Sequence, residues 1–350
     1  MPAEQSETRD AEPAGGQRRT KSAPTIYDIA RVAGVNPSTV SRALSQPGRI
    51  NIKTEQRILS AAKELNYRIN PMARALPTGR TSTLGLVVAD ITNPMFFNAA
   101  RGAERAAAER GYILVLVESQ ESGEREAEAA YRVLPSVDAL ILVTTRLADE
   151  KLHELAERKP VVVLNREVDG INSLVPDLDQ GIDQALDHLA SLGHTSLAFL
   201  SGPQTSWMSG ARSSRLLAKA PARGMTIVEI PSDGPTVEGG RGALPRVRAS
   251  GVTAVVAYND LMAIGLLRAA TEAGIRIPED LSIVGFDDIF GSDFTSPPLT
   301  TIRTPLDLVG ELAVHRALDL VDSGKEDGSS PEPPIVTELV VRGSTGPARR

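Results

Sequence analysis

Hydrophobic residues divide the chain into two parts of different periodicity. Between residues 24 and 67, apolar side chains recur every three or four positions in short stretches, which predicts a group of short helices. From Thr83 onward, short apolar runs alternate with stretches of helical periodicity, as in βαβ units with parallel sheets. These runs are too many for one sheet of ordinary size, so the sequence predicts two α/β lobes. The runs span residues 84–89, 113–117, 139–143, 161–164, 197–200, 226–230, 254–257 and 283–286.

Two segments show neither periodicity. Residues 1–22 are rich in Ala, Glu, Gly, Pro and Arg, which predicts a disordered tail. Residues 69–82 contain two prolines and a glycine, which predicts a hinge. The predicted domains are therefore an all-helical head at residues 23–68 and a two-lobed body at residues 83–346.

The segment TIYDIARVAGVNPSTVSRAL, residues 25–44, carries the start and stop signals of two helices. Thr25 followed by Asp28 resembles a capping box, which begins the first helix. Gly34 ends that helix, because glycine adopts the left-handed conformation of a helix C-terminus easily. Asn36 is a good N-cap, and Pro37 is a favoured first residue for the second helix. Helix, glycine-containing turn and helix make up the helix-turn-helix arrangement.

The polar face of the second helix suits the major groove of DNA. Val40 and Leu44 are spaced to face a core, which leaves short polar side chains and Arg42 outside or on the flanks. Such side chains near a helix N-terminus can reach base edges, and an arginine can pair with guanine through two hydrogen bonds. A third predicted helix, capped by Asn51, completes the bundle. A three-helix bundle without a DNA function is the alternative.

The charge distribution favours a polyanionic partner for the head. Residues 18–80 carry 12 Lys and Arg against 3 Asp and Glu, a net charge of +9, although the whole chain has a formal charge of −6. The acidic first 17 residues carry −3, so the remaining residues 81–350 carry −12. A basic head joined to an acidic body is what binding to nucleic acid requires.

The composition disfavours several other classes of protein. The chain has no cysteine, which excludes disulfides, thiolate nucleophiles and Cys-ligated metals. Its four histidines lack metal-ligand spacing, and it has no phosphate-binding glycine loop and no G-x-S-x-G motif. We therefore expect neither an enzyme nor a bound cofactor. No apolar run reaches the ~18 residues of a membrane helix, and the polar first residues do not predict a signal peptide, so we expect a cytoplasmic, nucleoid-associated protein.

Several motifs in a fixed order resemble the lactose-repressor (LacI/GalR) family. The helix-turn-helix segment is followed by NIKTEQRILSAAKELNYRINPMARAL, and the body contains TLGLVVADITNPMFF, AYNDLMAIG, LSIVGFDDI and SPPLTTIR. The resemblance extends over residues 25–346. It implies a periplasmic-binding-protein-like body with two Rossmann-like lobes of parallel sheet. It also implies a homodimer or tetramer, and binding to a pseudo-palindromic operator in double-stranded DNA under the control of a small effector, usually as a repressor.

The resemblance also implies roles for single residues in DNA binding. Pro37 and Ser38 open the recognition helix, and Arg42 matches a base-contacting arginine. Residues 70–76 match a hinge helix that forms on DNA, from which Ala73 and Leu76 enter the minor groove. The predicted DNA contacts are Thr25, Tyr27, Asn36, Pro37, Ser38, Thr39, Ser41, Arg42, Asn51, Asn70, Ala73 and Leu76.

One departure from the family pattern concerns the hinge. Pro77 directly follows Leu76, and a proline disfavours the helical conformation of the residue before it. Two alternatives therefore stay open for Leu76: insertion between bases, or packing against its copy in a partner subunit.

In the body, ligands of open parallel sheets bind beyond the carboxyl ends of the strands. Polar residues follow the apolar runs there, and their side chains suit the hydroxyls of a sugar or the edge of a nucleoside base. The resemblance implies effector contacts by Phe96, Asn165, Arg215, Asn259 and Asp287. Two functions stay open: a regulator controlled by a sugar-like or nucleoside-like effector, and a constitutive DNA-binding regulator whose body has lost effector control.

Overall fold

The computed structural model describes residues 24–45, 48–67, 80–323 and 334–349. The chain divides into two compact units, residues 1–74 and 75–350. The predicted tail, most of the predicted hinge, and the predicted contacts Asn70, Ala73 and Leu76 lie outside the described residues.

The head consists of three helices, α1 (Ile26–Ala33), α2 (Pro37–Ser45) and α3 (Ile52–Glu64). The predicted capping box forms, since the Thr25 N–H donates to the Asp28 carboxylate at 2.9 Å and the Asp28 N–H donates to Thr25 Oγ1 at 3.4 Å. Gly34 ends α1 in the left-handed conformation, with φ of 62°. Asn51 caps α3 through a 2.9 Å hydrogen bond from the Lys53 N–H.

The core of the head is built from small side chains. Val40 and Ile58 are fully buried, as their helical spacing predicts. Five of the eight core residues are alanines, which lets the helices approach closely but buries little apolar surface. The eight residues are Ile29, Ala30, Ala33, Val40, Ala43, Ile58, Ala61 and Ala62.

Lobe 1 of the body contains a parallel sheet of five strands in the order β2-β1-β3-β4-β5. Apolar residues of alternating orientation cover both faces of this sheet, so helices pack on each side. The elements of lobe 1 are β1 (Thr83–Val88), α4 (Met95–Glu109), β2 (Ile113–Glu118), α5 (Gly123–Val133), β3 (Ala139–Val143), α6 (Asp149–Ala156), β4 (Val161–Leu164) and β5 (Asn172–Leu174).

Lobe 2 contains a sheet of six strands in the order β11-β10-β9-β8-β6-β7, in which only the pairing of β11 with β10 is antiparallel. Its elements are α7 (Asp179–Ser191), β6 (Ser196–Ser201), α8 (Trp207–Lys219), β7 (Thr226–Pro231), α9 (Val237–Gly242), α10 (Leu244–Ser250), β8 (Ala254–Ala257), α11 (Asp260–Glu272), β9 (Ser282–Asp287), β10 (Thr300–Arg303) and, after a further helix, β11 (Glu338–Val340).

That further helix, α12 (Leu306–Ser323), belongs to lobe 1 although it follows a strand of lobe 2. It packs directly against α4, where a Cβ atom on Gly102 or Gly310 would lie 1.9 Å from a backbone carbonyl of the other helix. The chain therefore passes between the lobes three times. The first and third connecting segments lie side by side, since the Asp177 N–H of the first donates to the Ile335 carbonyl of the third at 2.7 Å.

All eight predicted runs form strands, and the division into two lobes is confirmed. The sequence did not predict β5, β10 and β11. Strand β10 has the sequence TTIR, which is not an apolar run, yet Thr300 and Thr301 are fully buried. Burial is possible because polar groups find partners: Thr301 Oγ1 donates to Asp260 at 2.6 Å, and the Thr300 N–H donates to Ser344 Oγ at 2.8 Å.

Candidate functional site

Helix α2 of the head presents a polar surface to solvent. Ser38 and Arg42, four residues apart, are exposed on one face, and Asn36 is exposed just before the helix. The fully buried Val40 fixes the opposite face against α1 and α3. Pro37, Thr39 and Ser41 are half-buried on the flanks. Of the side chains predicted to read DNA, those of Ser38 and Arg42 thus lie on the accessible side of a short helix whose opposite side is buried.

The other predicted head contacts lie at the starts of α1 and α3. Tyr27, in the first turn of α1, is 74% exposed. Thr25 and Asn51 are exposed as well, but each also uses a side-chain oxygen to cap its helix. Both residues lie at helix N-termini, where partial positive charge favours a phosphate.

In the body, a narrow cavity lies between the lobes, at the carboxyl ends of strands from both sheets. The space within it is about 20 Å³, enough for about one water molecule. Lobe 1 contributes Asn93, Met95, Phe96, Glu121, Thr144, Arg146 and Asn165, and lobe 2 contributes Met208, Arg212, Pro235, Tyr258, Asn259 and Asp287.

Four of the five predicted effector contacts meet in this cavity. Phe96 lies in the first turn of α4 and Asn165 directly after β4, and both are buried. Asn259 is held at both ends of its amide, since Oδ1 accepts from the Met262 N–H and Nδ2 donates to the Pro235 carbonyl, each at 2.9 Å. Asp287 ends strand β9.

The backbone around the cavity is strained. Four cavity residues other than glycine have positive φ: Glu121 at 58°, Thr144 at 56°, Asn165 at 62° and Asp287 at 105°. They make up half of the eight such residues in the described ranges. Left-handed backbone at non-glycine residues costs free energy and concentrates at functional sites, so these φ values mark the edge of the two sheets as a candidate site.

A buried ion pair forms the lobe 2 side of the cavity. Arg212 Nη2 donates to Asp287 Oδ1 at 2.8 Å, and Nη1 donates to the Tyr258 carbonyl. The guanidinium carbon lies 3.6 Å from the centre of the Phe286 ring, a cation–π contact. The two side chains are only 6% and 3% exposed. Burial raises the pKa of the Asp287 carboxyl, and this effect outweighs the opposing charge and hydrogen bond of Arg212.

Two buried polar atoms in the cavity have no hydrogen-bond partner among the described residues. They are Thr144 Oγ1 from lobe 1 and Arg212 Nε from lobe 2. A buried hydroxyl or N–H without a partner costs free energy, and such groups are rare in folded proteins. Both atoms belong to residues that line the cavity.

The structure does not bring Arg215 to the cavity. Its Nε lies 3.6 Å from Asp179 Oδ1 on the far side of α8, and its side chain is 35% exposed. Arg215 lies three positions after Arg212, almost one helical turn, and Arg212 is the arginine that lines the cavity. Arg215 instead belongs to a charge ladder, in which Asp179, Asp183 and Asp187 of α7 face Arg215, Lys219 and Arg223.

Sequence reasoning missed Arg212 and most of the lobe 1 side of the cavity. Thr144 and Arg146 follow a predicted strand, so the rule that polar groups gather beyond strand ends points to them as it does to Asn165. Glu121 follows β2 in the same way. For Arg212 the signal is the spacing of four between Arg215, Lys219 and Arg223, which matches the spacing of the three aspartates and assigns Arg215 to another face.

Across the described ranges, no group of three or more His, Asp or Glu side chains is arranged to hold a metal ion. Over the same ranges, no helix combines the length and the apolar character needed to cross a membrane.

Comparison with known proteins covers both units. The family model described as "Bacterial regulatory proteins, lacI family" matches residues 25–70, and the "Periplasmic binding protein-like domain" matches residues 186–345. The regulator DegA of Bacillus subtilis is 31% identical over 337 residues, which cover 92% of this chain and 98% of DegA. The ribose operon repressor of Escherichia coli K12 is 33% identical over 301 residues, which cover 83% of this chain and 91% of the repressor.

A solved structure agrees with these relatives. The lac repressor dimer bound to operator and the anti-inducer ONPF superimposes with a TM-score of 0.82 at 27% identity, covering 93% of this chain and all of that chain. The match includes a helical head and a two-lobed α/β body, and it extends to relatives that are regulators rather than enzymes. This chain therefore belongs to the LacI family of bacterial DNA-binding transcriptional regulators.

Proposed function

We propose that this regulator is a repressor whose affinity for operator DNA is controlled by a neutral sugar or nucleoside bound between the lobes of its body. The supporting observation is the pair of unpartnered buried atoms, Thr144 Oγ1 and Arg212 Nε, whose residues line one cavity from opposite lobes. A polyhydroxyl ligand supplies both donors and acceptors, so it would complete both hydrogen bonds at once.

The small volume of the cavity links binding to a change of lobe arrangement. About 20 Å³ does not accommodate even a monosaccharide, so the lobes or their side chains must move apart to admit one. A ligand that binds one lobe arrangement better than another shifts the balance between them. In this proposal the two arrangements differ in how they hold the hinges of a dimer, and hence in operator affinity.

The proposed homodimer places two recognition helices in successive major grooves of a pseudo-palindromic operator, which puts the protein in the cytoplasm with its DNA. Two edge strands of the body fit a dimer surface. Ile113 and Leu116 on β2 are 55% and 46% exposed, and Val228 on β7 is 43% exposed. Apolar side chains on sheet edges are normally covered by a partner. Leu116→Glu should therefore raise the dimer dissociation constant measured by sedimentation.

The effector part of the proposal is testable with the one tryptophan of the chain. Trp207 is the first residue of α8, next to the cavity residue Met208. Titrating the protein with ribose, other neutral sugars and nucleosides should change the Trp207 emission and raise the melting temperature for at least one compound, which should also alter operator binding. If no compound does so while operator binding is intact, the protein is a constitutive regulator.

The DNA part is testable by selecting bound sequences from random duplexes. Arg42→Ala should weaken binding by about 1–3 kcal/mol and relax the preference at one base position. Arg57→Ala removes the same charge from an exposed position on α3, and serves as the control. It should lower affinity uniformly across sequences, without a change in base preference. Unchanged preference in Arg42→Ala would overturn the assignment of α2 as the recognition helix.

A further inference from the structure

The lobe 1 side of the cavity contains a second ion pair, between Glu121 and Arg146. Arg146 Nε and Nη2 both donate to Glu121 Oε2, at 3.0 and 2.7 Å, and Nη1 donates to the Thr144 carbonyl at 2.7 Å. The Arg146 side chain is only 4% exposed, whereas that of Glu121 is 28% exposed. All three nitrogens of the guanidinium donate to partners within lobe 1, which anchors the Arg146 side chain there.

Glu121, in contrast, keeps an acceptor. Both hydrogen bonds from Arg146 go to Oε2, and Oε1 accepts none from the described residues. A carboxylate oxygen has room for further donors, and hydrogen bonds to a charged acceptor are stronger than those to a neutral one. Glu121 lines the cavity, so the ion pair places there a carboxylate that an arginine holds in position and that keeps one oxygen without a hydrogen bond from the described residues.

The loop that carries Glu121 is fixed in a costly conformation. Gln120 and Glu121 both have left-handed backbone, with φ of 52° and 58°. At Gly123 a Cβ atom would lie 2.8 Å from the Arg146 carbonyl, so only glycine permits this approach of α5 to the end of β3. The buried Glu126 carboxylate completes the junction by accepting from the Arg146 N–H at 2.7 Å. Strain of this kind persists where the position of a side chain matters.

The charges of the cavity balance within each lobe. Arg146 is paired with Glu121 in lobe 1, and Arg212 with Asp287 in lobe 2. In the cavity both arginines already have a carboxylate partner, so an anionic ligand would meet no unpaired cation and would approach two carboxylates. Like charges brought together repel, and the repulsion is strongest at the buried Asp287. A hydroxyl group, in contrast, can donate directly to Glu121 Oε1.

We propose that Glu121 determines effector specificity: its carboxylate accepts a hydroxyl of a neutral polyol and excludes the phosphorylated form of the same compound. Arg146 is the positioning residue that holds this carboxylate in place. The inference rests on the proposed function, because it concerns the ligand of the same cavity. It narrows the effector to uncharged sugars and nucleosides.

The test compares neutral and phosphorylated probes on the full chain. Three pairs are used: ribose and ribose 5-phosphate, glucose and glucose 6-phosphate, adenosine and adenosine 5′-monophosphate. Dissociation constants come from Trp207 fluorescence and calorimetry. For the pair that contains a ligand, the neutral member should bind wild type at least ~100-fold more tightly than its ester, because the ester brings charge against two carboxylates.

Glu121→Gln should reduce that preference by about 10- to 100-fold, since the neutral ligand loses a charged acceptor and the ester escapes repulsion. A merely structural defect weakens both members alike and leaves their ratio unchanged. Glu121→Asp keeps the negative charge on a side chain that is one methylene shorter. It should therefore weaken binding of the neutral ligand and still exclude the ester. Glu124→Gln, at an exposed position in the first turn of α5, is the matched control and should leave both affinities unchanged.

Each remaining outcome counts against a stated claim. If the ester binds wild type as well as the neutral compound, or if Glu121→Gln keeps the wild-type ratio, Glu121 is not the specificity residue, although the effector proposal stands. If no probe of any pair binds while operator DNA does, the effector proposal fails and the role of Glu121 with it. Melting temperatures measured without ligand establish that each variant is folded.

Discussion

Arg212 and Arg215 lie almost one turn apart on helix α8, yet they occupy opposite environments. Arg212 is 6% exposed and bonds to Asp287 and the Tyr258 carbonyl inside the cavity between the lobes. Arg215 is 35% exposed and faces the half-exposed Asp179 at the surface of lobe 2. Both are arginine–aspartate pairs, so the comparison isolates what burial adds to the same chemistry.

The two pairs serve different purposes for a physical reason. In the charge ladder between α7 and residues 215–223, the partners are partly exposed and water screens their attraction, so each pair contributes little to stability. In the cavity, removing one partner leaves a charge with neither water nor a counter-ion, so the pair cannot be broken cheaply. A ligand that replaces one partner of such a pair therefore changes the free energy of the site by a large amount. The cavity, not the ladder, is therefore suited to control.

The largest effect should come from Arg212→Ala. The change leaves the Asp287 carboxylate buried without its partner, which should lower the free energy of unfolding by about 3–5 kcal/mol. Urea denaturation of both proteins at the same concentration measures this loss. Trp207 emission reports unfolding, because Trp207 lies on the same helix as Arg212. The variant should also lose any response of Trp207 to sugars or nucleosides. If Arg212→Ala lowered the free energy of unfolding by less than about 1 kcal/mol, the cavity pair would contribute no more than a surface pair of the ladder.

Thr144→Val should have a smaller effect of opposite sign. Thr144 Oγ1 is buried without a partner, so replacing it with a methyl group of similar shape should stabilise the body by about 1 kcal/mol. The same change should weaken a ligand that bonds to this hydroxyl by about 2- to 10-fold. Unfolding and ligand titrations of one variant measure both effects.

The neighbouring Thr145 provides a matched control for that substitution. Thr145 is 2% exposed, and its Oγ1 accepts from the Leu147 N–H at 3.1 Å. Thr145→Val should therefore destabilise the body by about 1 kcal/mol. If both variants destabilise equally, the Thr144 hydroxyl has a partner after all, and the argument from unpartnered atoms loses one of its two members.

Arg215→Ala should have little effect. It removes one contact of the ladder, for which about 0.5 kcal/mol is expected in dilute buffer and less at high salt. Ligand binding should equal that of wild type, because the side chain lies outside the cavity. Urea denaturation at low and high salt, with the ligand titration beside it, measures both expectations. Loss of ligand binding in this variant would restore Arg215 to the effector site.

The same contrast explains what the sequence could predict. Local signals placed the head helices and the eight apolar strands correctly, since caps, glycine turns and apolar runs act through near neighbours in the chain. The threonine-rich β10 and the choice between Arg212 and Arg215 depend on partners far away in sequence, such as Asp260 and Asp287. Patterning alone does not report such distant pairing, which is why the cavity was only partly predicted.

The finest distinction between the two pairs is the pH dependence of their contributions. The hydrogen bond from Lys219 lowers the pKa of the ladder residue Asp183, whereas burial raises the pKa of Asp287. A lowered pKa in the folded state gives stability that is present above the unfolded pKa and is lost as pH falls. A raised pKa in the folded state has the opposite effect: the folded protein takes up the proton at a higher pH than the unfolded chain, so stability increases as pH falls. From pH 7 towards pH 4, the cost of Asp183→Asn should therefore shrink and that of Asp287→Asn should grow. Urea denaturation of both variants and wild type across this range measures the two slopes, and slopes of the same sign would show that Arg212 governs the ionisation of Asp287 more strongly than burial does.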